Sequence, residues 1–420
     1  MTRSAFPSDF FWGVATAGYQ NEGGSTASDI WFLEHVQPTI FTQRSGAASD
    51  SWNRWEEDLD LAASFGLNSY RFSVEWARVE AVAGVFDQDA LSHYEQIVDG
   101  CLLRGLAPIV TFSHFAAPHW FAAAGGWLAA DAADRFAAYC DAVMRRFGDR
   151  ISIAVTLNEP NLPQLLSWAE LPPFVAELER ATLHAASTAS GSERYRVGNV
   201  VLAEEFEEMQ AGLTRAHLAA RAVIRGHRAD LPVGISIAVS DDVAAEGGER
   251  VRNRKRSEVY EHWLDLASSD DFIGVQNYER EYYGPAGRLE PAEGLPLNAM
   301  GTAIEPGSLA GAVRYAHAVS GVPVLVTEHG LGASDDALRA GFIRPALDGL
   351  AQVLLDGVPV IGYCHWTLLD NYEWIFGYDR CFGLVEVDRE TFARTPKASA
   401  AAYREYVVSA AAATAMRTTG

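Results

Sequence analysis

Two glutamates, Glu159 and Glu328, each close a short apolar run, ISIAVTLNEP (151–160) and PVLVTEHG (323–330). A carboxylate at the end of a segment buried on both faces is costly unless it is paired or put to use. A third such run, SYRFSVEW (69–76), carries Arg71. Two carboxylates and a guanidinium brought to one cleft suit chemistry on an acetal. One carboxyl stays protonated and hands its proton to a leaving oxygen. The other, ionised, stabilises or attacks an oxocarbenium-like carbon. A separation of about 5–5.5 Å gives retention, and about 6.5–9.5 Å gives inversion. The plainer reading is a pair of structural acids held in salt bridges.

What must hold these residues is a set of eight apolar runs, each followed by an amphipathic stretch. The runs begin at Phe11, Ser69, Ala107, Ile151, Val233, Phe272, Pro323 and Ile361. Each is nearly continuous in Val, Ile, Phe or Tyr, the pattern of a parallel strand covered by helices on both sides. Between them, Trp52, Trp55, Leu59, Ala62 and Phe65 recur at helical spacing, as do Phe136, Cys140, Val143 and Phe147. Further helices are expected near 88–105, 205–228, 252–267, 308–320, 337–356 and 397–412, with Gly66, Gly105, Gly321 and Gly357 as C-terminal caps. Eight βα units predict an α/β chain forming one domain over 1–420, a single (β/α)8 TIM barrel with extended βα loops, the longest from Pro160 to about Arg196. An open doubly wound sheet would show a Gly-rich phosphate turn after the first strand, and residues 11–24 have no GxGxxG.

Active sites of such barrels lie at the C-terminal ends of the strands. There the sequence places Gln20 and Glu22, Arg71, His114, Asn158 with Glu159, Tyr278, Glu328 with His329, and His365 with Trp366. Only the fifth strand offers no obvious polar group.

With 33 basic and 55 acidic residues the net charge is −22, which argues against nucleic acid or an anionic membrane as partner. The acidic run 204–208 reads as a solvated helix face, and the cluster Arg250, Arg252, Arg254, Lys255, Arg256 as too local to bind a polyanion. No run approaches 18 uninterrupted apolar residues, and the N-terminus has no apolar core behind a basic start, so a cytoplasmic location is expected. Cys101, Cys140, Cys364 and Cys381 have no metal-ligand spacing and read as reduced thiols. His114 and His119 do not amount to a metal site, and no metal or cofactor is implied.

Motifs running the length of the chain resemble those of glycoside hydrolase family 1, the β-glucosidase family, in an atypical bacterial form. They are FWGVATAGYQNEG (11–23), RWEED (54–58), YRFS (70–73), TLNEP (156–160), TEHG (327–330) and WTLLDNYEW (366–374). The resemblance implies a retaining β-glycosidase, cofactor-free, acting on a small-molecule glycoside. It implies that Glu159 is the general acid/base, Glu328 the nucleophile, and Arg71 and Tyr278 the pair that holds it. The Arg71 guanidinium is expected to lower the pKa of Glu328. Asn158 would bind the sugar 2-hydroxyl. Gln20, His114, Glu373 and Trp374 would bind other hydroxyls, over Trp366 as aromatic floor. A carboxylate at Glu373 would repel a 6-phosphate, so a non-phosphorylated sugar is expected.

Several positions depart from the family pattern: Phe115 for the usual Trp, His329 for Asn, Gln276-Asn277 before Tyr278, and Thr302 for Trp. The stretch 161–196 keeps little of it. These changes leave two alternatives, a family fold turned to transglycosylation or elimination on a natural product, and a non-catalytic sugar-binding protein.

Overall fold

The apolar runs form eight parallel strands that close into a barrel in sequential order. They are β1 (Phe11–Ala15), β2 (Ser69–Ser73), β3 (Ala107–Ser113), β4 (Ile153–Asn158), β5 (Val233–Ala238), β6 (Phe272–Asn277), β7 (Val324–His329) and β8 (Val360–Trp366). The computed structural model describes residues 5–418. Closure is made by β1 against β8, in register from Phe11 opposite Gly362 to Ala15 opposite Trp366. Nearly every strand residue is buried, as strands covered on both faces require.

Eight helical segments follow the strands: α1 (Ser51–Ser64), α2 (Gln88–Leu103), α3 (Ala132–Phe147), α4 (Phe206–His227), α5, α6 (Ser308–Ser320), α7 (Asp336–Leu355) and α8 (Ala398–Thr418). α5 runs from Glu249–Arg256 through a π turn at Ser257–Glu261 into His262–Ala267. The expected periodic faces turn inward: Leu59 and Ala62 of α1, and Phe136, Cys140, Val143 and Phe147 of α3, are buried. Asp87 and Asp335 cap α2 and α7 through their side chains. Gly66, Gly105, Gly321 and Gly357 all take positive φ (77°, 70°, 74° and 90°) just past the helices, as C-caps do.

The main core lies between the strands and this helical layer. A smaller cluster, including Ala15, Ile109, Val155, Leu325, Cys364 and Trp366, fills the barrel interior. A third cluster gathers Tyr19, Ile30, Leu33, Tyr195 and Tyr372, with Val175, Leu178 and Trp374 packed on it. It ties the β1, β4 and β8 loops together around the mouth.

Some boundaries and environments differ from the sequence reading. β4 starts at Ile153, because Gly148–Arg150 is spent on a 3-10 turn after α3. α5 starts at Glu249. Within 160–196 lie two helices, Leu162–Ser167 and Pro173–Ser190, each with Pro in its first turn, where the missing N–H costs nothing. The acidic run is not uniformly solvated: Glu205 is buried and takes Arg196 Nε at 2.6 Å and Arg194 Nη2 at 3.1 Å. Nor is the basic cluster a surface patch throughout. Lys255 is fully buried, 2.7 Å from Asp242 Oδ1 and bonded to Glu281. Among the described residues no helix is long and apolar enough to cross a membrane.

Candidate active site

β7 carries Glu328 to the mouth through a register shift. Val326 stands opposite Val275 of β6, but Glu328 stands opposite Gln276, so β7 has one residue more than its neighbour there. β4 has the same irregularity one residue before Glu159: Val155 faces Gly234 of β5, and Asn158 faces Ser236. Bulges of this kind re-aim side chains beside active sites.

Three donors converge on Glu328. Arg71 Nη1 lies 2.6 Å from Oε1, Gln276 Nε2 donates to the same oxygen at 2.9 Å, and the Tyr278 hydroxyl donates to Oε2 at 2.6 Å. Arg71 is itself fixed, with Nε on Thr111 Oγ1 at 3.1 Å and Nη1 on the Thr327 carbonyl at 3.1 Å. Burial raises the Glu328 carboxyl above its ordinary range, while Arg71 and Tyr278 pull it back. The guanidinium thus acts in the expected direction, but the expected net lowering is corrected: desolvation outweighs it.

Glu159 sits in a different environment. Its φ of 45° is rare for a residue with a side chain, and its N–H continues the sheet by donating to Ser236 O at 2.8 Å. Burial, followed by the charge of Glu328, pushes its carboxyl well above the ordinary range; Arg71 opposes and Glu373 adds to the rise. Two buried carboxyls therefore face one cleft, one held by three donors and one pushed toward its neutral form, the asymmetry that separates an acid from a nucleophile.

Asn158 links the two. Its Oδ1 accepts from Arg71 Nη2 and from Gln276 Nε2, the latter at 2.6 Å, which turns Nδ2 toward His114 Nε2 at 3.3 Å. Nδ2 can only donate, so Nε2 of the imidazole accepts. Burial, helped by Arg71, holds His114 well below its ordinary pKa and hence neutral. Its proton then sits on Nδ1, a buried donor with no partner. Gln20 Oε1 and Glu373 Oε1 are likewise buried without partners. Orphaned polar atoms at one mouth are what a polyhydroxylated ligand would satisfy.

Aromatic faces complete the cup. His114 stacks on Trp366 (centroids 5.7 Å apart, 16°) and on Trp374 (6.2 Å, 13°), and Trp374 stacks on Tyr19 (5.7 Å, 9°). Gln20 Nε2 donates to the Tyr372 carbonyl at 2.8 Å. Burial, then the charge of Glu328, pushes Glu373 to about 8.

The ten candidate side chains (Gln20, Arg71, His114, Asn158, Glu159, Tyr278, Glu328, Trp366, Glu373 and Trp374) come together at this mouth. Three strand-end groups do not. Glu22 turns away to Arg78 and Tyr94. His329 and His365 point into the outer layer, both against Tyr363, because successive strand residues face opposite ways. Two contributors had been passed over. Gln276 had been read only as a departure. Ser236, on the strand with no obvious polar group, accepts from Gln276 Nε2 at 3.0 Å and bonds Thr327 Oγ1. A polar residue interrupting an inward-facing apolar alternation was the available signal in both.

Residues 2–197 and 265–411 match the model of glycosyl hydrolase family 1. A bifunctional β-D-glucosidase/β-D-fucosidase of Bifidobacterium breve is 29% identical, over 96% of this chain and 98% of that one. β-Glucosidase A of Thermotoga maritima is 28% identical, over 97% and 98%. The solved β-glycosidase BGL167 superposes with a TM-score of 0.91 at 44% identity, covering 96% of this chain and 97% of its own. The two-carboxylate mouth of a closed barrel and these matches agree: the chain belongs to glycosyl hydrolase family 1 and is a β-glycosidase.

Proposed function

We propose that the chain hydrolyses a non-phosphorylated β-D-glycoside by double displacement, with Glu328 as nucleophile and Glu159 as acid and base. The supporting observation is the asymmetry of the two carboxyls. Glu328, held by Arg71, Gln276 and Tyr278, attacks the anomeric carbon. Protonated Glu159 gives its proton to the glycosidic oxygen, the C1–O bond breaks, and the aglycone leaves as an alcohol. Glu328 is then an ester and no longer charged, so the neighbour that raised Glu159 is gone. Glu159, now ionised, takes a proton from water as that water attacks C1 and releases Glu328.

In this reading Asn158 Nδ2 binds the 2-hydroxyl, His114 Nδ1 and Gln20 bind neighbouring hydroxyls, and Trp366 and Trp374 cover the apolar face of the ring. Glu373 holds its proton to about pH 8, so the repelling carboxylate expected from sequence is corrected to a neutral acid, and that acid offers a sugar phosphate dianion no positive partner. The B. breve relative's name suggests gluco or fuco configuration. The four free cysteines suit a cytoplasmic location.

The test is 4-nitrophenol release from β-gluco, galacto, fuco and xylo substrates by wild type, Glu159→Gln and Glu328→Gln, with NMR of the first-formed sugar anomer. The expected result is β-anomer first and loss of turnover in Glu328→Gln. Unchanged activity in Glu328→Gln, or α-anomer first, overturns the mechanism.

A further inference from the structure

The loop that follows β4, which leads to Glu159, and the loop that follows β6, which leads to Tyr278, meet at the rim of the mouth. In the β4–α4 loop, the helix Leu162–Ser167 begins three residues after Glu159, with Leu162 N on the Glu159 carbonyl at 3.0 Å. It spans about 9 Å and delivers Trp168. In the β6–α6 loop, the strand Arg280–Gly284 begins two residues after Tyr278. The two are locked together: Tyr283 packs edge-on against Trp168 (6.1 Å), Arg254 lies 4.8 Å over the same indole, and Trp168 Nε1 donates to Glu258 Oε2 at 3.0 Å.

Large apolar side chains stand exposed on both loops beside this lock. On the β4–α4 loop Leu171 and Phe174 are 45% and 63% exposed, and on the β6–α6 loop Leu289 and Tyr282 are 44% and 37% exposed. A Cβ on Gly287 would lie 3.7 Å from Glu170 Oε1, which sets Leu171 next to the β6–α6 loop. Beneath the lip four charges are spent on one another. Lys255 holds Asp242 and Glu281, Arg288 Nη1 is 3.1 Å from Glu281 Oε1, and Tyr283 donates to Glu281 at 2.7 Å. An apolar lip continuous with the strand that leads to Glu159 would not be kept in water without use.

We infer that this lip seats the leaving group, and that the natural substrate is a glycoside with an extended hydrophobic aglycone, not an oligosaccharide. The inference rests on the hydrolytic reading above. Glu159 protonates the glycosidic oxygen, so the aglycone lies on the Glu159 side, against the segment that follows it. Leu171 and Phe174 are specificity-determining residues that touch the aglycone and not the sugar.

The experiment measures kcat/KM for methyl, butyl and octyl β-glycosides of the preferred sugar, and for the β-1,4-linked disaccharide. Wild type is compared with Phe174→Ser and Leu171→Ser/Phe174→Ser. Both residues are exposed, and equal melting temperatures check the fold. The expected result is a rise in kcat/KM from methyl to octyl, with octyl preferred to the disaccharide. The double variant lowers the octyl-to-methyl ratio about tenfold or more. A flat alkyl series, preference for the disaccharide, or an unaltered ratio in the double variant overturns the inference while the hydrolytic reading stands. A flat series with a dimer that Phe174→Ser dissociates in sedimentation assigns the lip to a second copy and overturns it too. Folded wild type that turns over no glycoside overturns both.

Discussion

Gln276 Nε2 lies 2.9 Å from Glu328 Oε1 and 2.6 Å from Asn158 Oδ1, so one amide joins the proposed nucleophile to the residue proposed to read the sugar. A hydrogen bond to a charged acceptor contributes about 1.5–3 kcal/mol. Gln276→Ala is therefore expected to lower kcat/KM about 10- to 100-fold, with a melting temperature close to wild type. Steady-state kinetics on an aryl glycoside checks this, and a wild-type value would remove Gln276 from the site.

The Tyr278 hydroxyl favours the ionised form of Glu328, as does Arg71. Removing it leaves burial less opposed, so the pKa of Glu328 rises. Tyr278→Phe is expected to move the acidic limb of the kcat/KM profile to higher pH, and activity is lost first at low pH. A limb that stays in place would show that the hydroxyl does not govern nucleophile ionisation.

Asn158 Nδ2 is aimed by the two donors on its Oδ1. A 2-deoxy substrate should lose several kcal/mol of transition-state contact, about 100-fold or more in kcat/KM once its higher intrinsic reactivity is allowed for. Asn158→Ala should lose a similar factor on the parent substrate yet hardly distinguish it from the 2-deoxy compound. A full 2-hydroxyl effect in the variant would assign that contact elsewhere.

Three carboxyls sit far above their unfolded values: Asp29 at about 7, and Glu75 and Glu373 at about 8, each because of burial. The folded state holds their protons over a range where the unfolded chain has lost them. Their stabilising contribution is whole below pH about 4 and is lost as pH rises through 7 to 8. Melting temperature is expected to fall between pH 5 and pH 8.5, and Glu75→Gln to reduce that fall by about 2 °C or more. An equal or steeper fall in the variant would contradict the assignment.

The strands were legible because each is a run of β-branched and aromatic residues too short and too apolar to be anything else in a layered α/β chain. β4 was misplaced by two residues because Ile151 and Ser152 continue its apolar pattern while the 3-10 turn Gly148–Arg150 takes up the slack. Eight of the ten side chains of the mouth lie in the family-like motifs and two, His114 and Tyr278, at strand ends, and the structure gathers all of them. What sequence could not show was environment. Lys255 looks like one of five surface cations until Asp242 and Glu281, 13 and 26 residues away, close on it. Glu205 is hidden by Arg194 and Arg196, eleven and nine residues upstream in the same β4–α4 loop. The pKa of Glu328 depends on how far burial outweighs a guanidinium, and spacing carries no measure of burial. The helix Pro173–Ser190 is not legible in the sequence because its inward face meets only the peripheral cluster around Tyr195, so its apolar pattern is thin.

The two register shifts also govern how this chain can change length. Side chains alternate with a period of two along a strand, so inserting or deleting one residue before the shift in β4 or β7 would swing Glu159 or Glu328 from the cleft into the packed wall. A loop faces no such parity: residues added between Ser167 and Pro173, or between Gly294 and Gly301, would displace neither carboxylate. Evolution of this chain is thus free to lengthen or trim its rim by any number of residues, while its catalytic strands accept substitutions but not insertions or deletions.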